Sequence, residues 1–311
     1  MNKSSNNNLT PLVSVYTCVY NGAKTIHRVF SSMKKLEYSN IEHIIVNDGS
    51  TDGTDELIKQ YMSEVDFPIQ YVKKENGGKH SALNIVWKIA KGEFMIQLDA
   101  DDELLPHSIT YLVDKYYSIP SNIRDKYWCV HGRCITQHGD FVGDPYPEDI
   151  NNDEWIINAE KASKCKGEKI GLQVSKYLSQ YRFPEVKNVH FLPEGIVWKQ
   201  INSRYGTWYT NEVVRIYYVN EGNNLSAPKT KRSQFGAAAY YYKWMSEHPE
   251  YYKKTLYNPI LYSLYYFVAD KKYRKNNGYF QDVSKYKLFL AVLYPVMRVG
   301  AFSFRLLKKI K

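Results

Sequence analysis

The sequence predicts an α/β protein with a mostly parallel sheet covered by helices on both faces. Short apolar, β-rich runs alternate with segments of helical spacing through the first 120 residues. Strands of that kind need crossover helices, and helices that pack back onto the sheet bury both of its faces. At 311 residues and 44% hydrophobic content the chain is long enough for a substantial core, as one large domain or one domain with an appendage.

The elements follow in order. VSVYTCV (13–19) reads as the first strand; it ends at the turn Asn21-Gly22, and Ile26, Val29, Phe30 and Met33 then have helical spacing up to about residue 35. IEHIIV (41–46) leads into NDGSTDGT and a helix over about 54–65. PIQYV (68–72) leads into KKENGGK and a helix over about 80–90. EFMIQL (93–98) is the next strand, and a further helix follows Pro106.

In sheets of this type ligands bind beyond the carboxyl ends of the strands. Tyr20-Asn21, Asp48-Gly49-Ser50, Asn76-Gly77-Gly78-Lys79 and the cluster Asp99, Asp101, Asp102 all follow strands, so they are expected along one rim. Three carboxylates within four positions repel unless cations or hydrogen-bond donors offset them. An oxygen-only set suits Mg²⁺ or Mn²⁺, whose remaining shell is water and phosphate oxygen, so a diphosphate ligand is expected. Asp101 or Asp102 also suits a bland role, capping the helix after Pro106. GGKHS (77–81) is not a P-loop, because His80 stands where the Ser or Thr belongs and Lys73 where the first glycine belongs. No G-x-G-x-x-G follows any strand.

Cys18, Cys129, Cys134 and Cys165 match no disulfide scaffold or zinc spacing and read as reduced thiols. Residues 1–10, without an apolar core, read as a disordered lead-in. The net charge of +10 lies at the other end: residues 251–311 hold thirteen Lys and Arg against Asp270 and Asp282. A near-neutral body with a cationic end does not indicate nucleic acid. From about Phe235 the chain is Tyr-rich, and Leu288 to Met297 is too short to span a bilayer and contains Pro295. Aromatics interleaved with Lys and Arg suit helices lying at an anionic membrane surface, although the same stripe also serves helix packing.

VSVYTCVYNGAKTI, IIVNDGSTDGT, ENGGKHSALN with Lys91-Gly92-Glu93, and LDADDELLP resemble, in order and spacing, the family 2 glycosyltransferases, enzymes of the GT-A fold that use nucleotide sugars. The resemblance covers about residues 11–225. It implies a glycosyltransferase domain over 11–230, with a nucleotide-sugar half (11–105) and an acceptor half (106–230), followed by a helical, membrane-associating region over 235–311. GDFVGDPYP (139–147), KGEKIGLQVSKYLSQYRFPE (166–185) and FLPEGIVWKQI (191–201) look like the acceptor half of bacterial members that build surface polysaccharides.

The roles implied are residue by residue. Thr17, Val19, Tyr20 and Asp48 would hold the base, expected to be uracil, with Asp48 accepting from the ring N–H. Asn76 and Lys79 would face base, ribose or diphosphate, and Asp99 the ribose or sugar. Asp101, with Asp102 beside it, would hold the Mn²⁺ or Mg²⁺ ion. Glu194 would be the general base of inverting transfer to a saccharide or lipid-linked acceptor, with Glu168 and Glu185 on the acceptor side or structural. Asn47 and Cys18 depart from the family's usual residues. A processive synthase would carry Q-x-x-R-W, whereas Gln200 and Arg204 are one residue too far apart and Tyr205 follows. A non-catalytic nucleotide-sensing module would also gather acids at strand ends, but it leaves Glu194 and the second half unexplained. The chain is expected in the cytoplasm, peripheral at the inner face of the membrane.

Deleting residues 285–311 is expected to move the protein from the membrane to the soluble fraction while transfer to a soluble acceptor analogue persists. High salt should weaken binding of the intact chain to anionic vesicles. Unchanged fractionation would remove the electrostatic anchor.

Overall fold

A computed structural model of the chain describes residues 10–185 and 190–219. The expectations for residues 1–9 and 235–311 lie outside the described residues. Residues 10–184 and 197–219 form one compact unit; residues 185 and 190–196 belong to a second and are described by themselves.

The first half matches its reading closely. Strands β1 (Val13–Val19), β2 (Ile41–Asn47), β3 (Ile69–Lys73) and β4 (Phe94–Gln97) alternate with helices α1 (His27–Lys34), α2 (Thr54–Met62) and α3 (Lys79–Ile89). β1 pairs in parallel with β2 and with β4, and β2 with β3. All seven residues of β2 are buried, as a strand covered on both faces must be. Helix α2 stops at Met62, short of the expected residue 65, and Ser63 caps its own turn by donating to Gln60 O.

The second half extends the same sheet in mixed directions. β5 (Glu103–Leu104) and α4 (Ser108–Tyr117) precede β6 (Tyr127–Thr136), α5 (Trp155–Ser163), β7 (Lys169–Val174), α6 (Ser175–Leu178), α7 (Gly195–Asn202) and β8 (Gly206–Tyr217). The eight strands run β3-β2-β1-β4-β7-β6-β8-β5. β7 is antiparallel to both β4 and β6, and β5 to β8, while β6 and β8 are parallel. The parallel character therefore resides mainly in the first four strands. Phe183, Trp87, Trp198 and Trp128 lie ring against ring in that order, through α3, α7 and β6, with centroids 5.2–5.8 Å apart. Among the described residues no helix is long and apolar enough to cross a membrane.

At the edge opposite the strand ends, buried Glu42 of β2 joins four segments. Its carboxylate accepts from Ser14 Oγ of β1 (2.5 Å), from Gln70 Nε2 of β3 (2.7 Å) and from the Lys91 backbone N–H (2.7 Å) before β4. Gly92 donates to Ser14 Oγ, and a Cβ there would come within 2.6 Å of Ser14 N. The Lys91-Gly92-Glu93 stretch is thus a close-approach turn.

His43 is wholly buried in β2, with Nε2 3.1 Å from Thr17 Oγ1 and Nδ1 3.4 Å from Tyr61 Oη. Burial pushes its pKa down to about 3. The folded state therefore binds fewer protons than the unfolded one, in which histidine titrates near 6.5. The stability contributed by neutral His43 is present above that value and is lost as pH falls from about 6.5 toward 3, at about 1.4 kcal/mol per pH unit. Urea denaturation between pH 4 and 7 should show a steeper loss for the wild type than for His43→Gln, which does not titrate. Equal slopes would refute the assignment.

Candidate functional site

The loops after β1, β2, β3 and β4 meet at the carboxyl end of the parallel strands and are tied to one another. Asn21 adopts φ 53°, a left-handed turn that its short polar side chain tolerates. Its N–H donates to Ser50 Oγ (2.9 Å), and its Oδ1 accepts from Thr51 N–H (2.8 Å). The Gly22 N–H donates to Thr54 Oγ1 (3.0 Å), so the first loop is laced to the second.

Asp48, 3% exposed, ties the second loop to the third. Its Oδ1 accepts from Lys74 Nζ (2.6 Å) and Gly77 N–H (2.9 Å), and its Oδ2 from Gly78 N–H (2.7 Å). Asn76 Nδ2 donates to the Asp48 carbonyl (3.0 Å). Gly49 has φ +77°, and a Cβ there would lie 2.7 Å from Asn76 N. Lys74, which also reaches Ser81 Oγ (3.0 Å), was not singled out from the sequence. Its signal there was only a second lysine at the end of a strand.

Two residues of the first loop stand elsewhere than expected. Thr17 is wholly buried, its hydroxyl used by His43, because the strand's alternation turns it into the core. Val19 is 2% exposed and its carbonyl accepts from the Asp48 N–H (2.8 Å). Neither side chain presents itself at the rim. Tyr20 does, at 42% exposure.

The charged cluster divides in two. Lys79, the first residue of α3, donates to Asp99 Oδ1 (2.7 Å), and Gln97 Nε2 donates to the same oxygen (3.1 Å). Burial pushes the Asp99 carboxyl up, but the charges of Lys79 and Arg215 and these hydrogen bonds outweigh it and leave the group below its usual range. Asp101 is held above the usual range by burial first and then by the negative charge of Asp99. Its backbone carbonyl accepts from Arg28 Nη1 (3.2 Å).

Asp102 is wholly buried and turned away from the rim. Its N–H closes the turn on the Asp99 carbonyl (3.1 Å), and its Oδ1 accepts from the Tyr218 N–H (3.1 Å). Its Oδ2 lies 3.4 Å from Nη1 of buried Arg215. Burial pushes its pKa up to about 7. The expectation that Asp102 joins Asp101 at a cation is not met in this conformation, because an internal cation holds Asp102 on the other side of the turn. Arg215, more than a hundred residues downstream, has no local sequence signal that connects it to the cluster.

Among the described residues no three His, Cys, Asp or Glu side chains gather as a metal cage. The two rim carboxylates, Asp99 and Asp101, nevertheless fit a hard divalent cation that takes one or two protein oxygens and completes its shell from water and phosphate. The set is too poor in nitrogen and sulfur for zinc. Glu194 lies half-buried in the turn that immediately precedes α7, within the second compact unit. Glu168 and Glu185 are exposed.

Residues 14–123 match the family described as Glycosyl transferase family 2. An uncharacterized glycosyltransferase of Rickettsia typhi is 41% identical over 108 residues, 35% of this chain and 33% of that protein. The hyaluronan synthase of Pasteurella multocida is 33% identical over 147 residues, 46% of this chain and 14% of the synthase. The matched stretch thus spans a third or less of these relatives' own length. Among solved structures, S. aureus TarS 1–349 in complex with UDP-GlcNAc is similar at a TM-score of 0.55 and 15% identity, over 84% of this chain and 82% of that one. The mannosyltransferase PcManGT from Pyrobaculum calidifontis, in complex with GDP-Man and Mn²⁺, is similar at a TM-score of 0.53 and 19% identity, over 83% and 74% of the two chains. The eight-stranded mixed sheet is that of the GT-A fold, and the stretch that matches the family 2 glycosyltransferases, residues 14–123, forms its parallel half.

Proposed function

We propose that the chain transfers a single sugar, with inversion, from a UDP-sugar to a saccharide acceptor carried on lipid, in the synthesis of a bacterial surface polysaccharide. The observation that carries this reading is the rim set of Lys79, Asp99 and Asp101 beyond the parallel strands. One ammonium and two partly exposed carboxylate groups are what a diphosphate bound through a divalent cation requires. The TarS and PcManGT structures, solved with UDP-GlcNAc and with GDP-Man and Mn²⁺, support a nucleotide-sugar donor.

In this reading Tyr20 offers its exposed ring to the base. A carboxylate has roughly four acceptor positions; Lys74, Gly77 and Gly78 fill three at Asp48, which leaves one for the ring N–H. Asn76 and Lys79 line the path of ribose and diphosphate, and Asp99 and Asp101 hold Mn²⁺ or Mg²⁺, which neutralises charge on the departing diphosphate. Glu194 takes the proton from the acceptor hydroxyl as that oxygen attacks the anomeric carbon opposite the leaving group. Composition alone supports the remaining step, in which the Tyr- and Lys-rich residues 235–311 hold the protein at the inner face of the cytoplasmic membrane, beside its acceptor.

Chelation is expected to abolish transfer, and Mn²⁺ or Mg²⁺ to restore it; full activity in excess EDTA would sink the metal assignment. Asp101→Asn should cost more turnover than Asp102→Asn. Glu194→Gln should lower kcat by roughly 10²-fold or more with UDP affinity nearly unchanged, and NMR of the anomeric proton should show a β product from an α-linked donor. A parallel loss of UDP affinity would make Glu194 structural.

Gly49→Ala forces a left-handed residue against Asn76. It should destabilise the fold by about 1–3 kcal/mol in urea titrations and weaken UDP binding measured by calorimetry. Wild-type affinity would detach the second and third loops from the donor.

A further inference from the structure

Arg215 faces Leu104 of β5 and Cys134 of β6 in the sheet register and is 4% exposed. Its Nε donates to Cys134 Sγ (3.2 Å). Nη1 lies 3.4 Å from Asp102 Oδ2 and 3.8 Å from Asp99 Oδ2, and Nη2 lies 3.8 Å from Glu168 Oε2. Neither Nη2 of Arg215 nor Oδ2 of Asp102 has a hydrogen-bond partner among the described residues. One buried cation is thus shared among three carboxylates at charge-pair rather than hydrogen-bond distance.

The sharing is uneven. Asp102 is fully enclosed, while Asp99 is 30% exposed at its side chain and is held on its other oxygen by Lys79. Removing the guanidinium would leave Asp102 enclosed beside two further carboxylates, with the ammonium of Lys79 already engaged by Asp99 and Arg28 on the backbone of Asp101. A buried carboxylate in that position must protonate or swing outward.

We propose that Arg215 is a positioning residue for the donor site: it draws Asp102 into the protein and leaves Asp99 and Asp101 as the carboxylates of the cluster that face the rim. This rests on the donor reading above. A site with three outward carboxylates would hold a divalent cation and its diphosphate more tightly. Arg215 thereby limits the affinity and lets the spent nucleotide leave, a step that sets turnover in many enzymes.

The test uses the full chain, with Mn²⁺ binding in the presence of UDP followed by electron paramagnetic resonance. Arg215→Met removes the charge at similar length and should tighten Mn²⁺ binding by roughly tenfold, the scale of one unit charge at this distance. Adding Asp102→Asn should return the affinity to near that of the wild type, and Arg215→Lys should fall between. Unchanged or weaker Mn²⁺ binding in folded Arg215→Met overturns the proposal, since a merely structural role would loosen the site. If that variant does not fold, Arg215→Lys decides, because one ammonium does not bridge Asp99 and Asp102; wild-type affinity there overturns the proposal. If the wild type itself binds neither Mn²⁺ nor UDP, the donor reading fails, and the pair is judged by unfolding. Asp102→Asn should then raise the urea midpoint in the Arg215→Met background while lowering it in the wild type, and a lowering in both overturns the positioning role.

Discussion

Like charges gathered at Asp99, Asp101 and Asp102 have to be balanced from outside their own turn, and the fold is arranged so that distant cations reach them, Lys79 and Arg215 at the carboxylates and Arg28 at the Asp101 carbonyl. Lys79 comes from the start of the helix after β3, and Arg215 from β8, whose place beside β5 in the sheet brings it under the turn. Lys79 and Arg215 approach from different sides. Lys79 and Asp99 share the accessible rim, whereas Arg215 and Asp102 are enclosed. The charge balance therefore also sorts the carboxylates, sending one inward and leaving two where a ligand can meet them. The second half of the chain thus contributes to the rim by supplying β8 and the guanidinium that the first half lacks.

The same logic operates in the second and third loops. Asp48 is buried, and a buried carboxylate needs donors; it finds them in two successive glycine N–H groups and a lysine. Glycine at 77 and 78 leaves those N–H groups accessible, and Gly49 supplies the left-handed turn that brings Asp48 over them. The rim is accordingly a set of loops locked by hydrogen bonds to one another, with Tyr20, Lys79, Asp99 and Asp101 projecting from it.

The first half was readable because it obeys local rules. Apolar runs of strand length, helical spacing and glycine-rich turns placed β1 to β4 and α1 to α3 within a few residues, and the strand-end rule placed the four loops together. What the sequence did not disclose depended on partners far along the chain. Whether Asp102 points inward or outward is decided by Arg215, and that Thr17 serves the core is decided by His43 on a neighbouring strand. The antiparallel strands of the second half went unread because β7, most of β6 and the first five residues of β8 are buried on both sides and show no plain alternation. Glu194 was read from resemblance alone, and its local setting, a turn before a helix, suits an acid for ordinary reasons as well.

The Glu42 junction has a consequence for how such a protein can change. It ties β1, β2, β3 and the entry to β4 at the end of the sheet about 20 Å from the four rim loops, the length of a six- or seven-residue strand. Substitutions separated by that distance and sharing no partner act independently. The loops can thus be exchanged, lengthened or retuned to another ligand while the far end keeps the strands in register. Selection for new specificity and selection for a folded chain act on opposite ends of the same four strands.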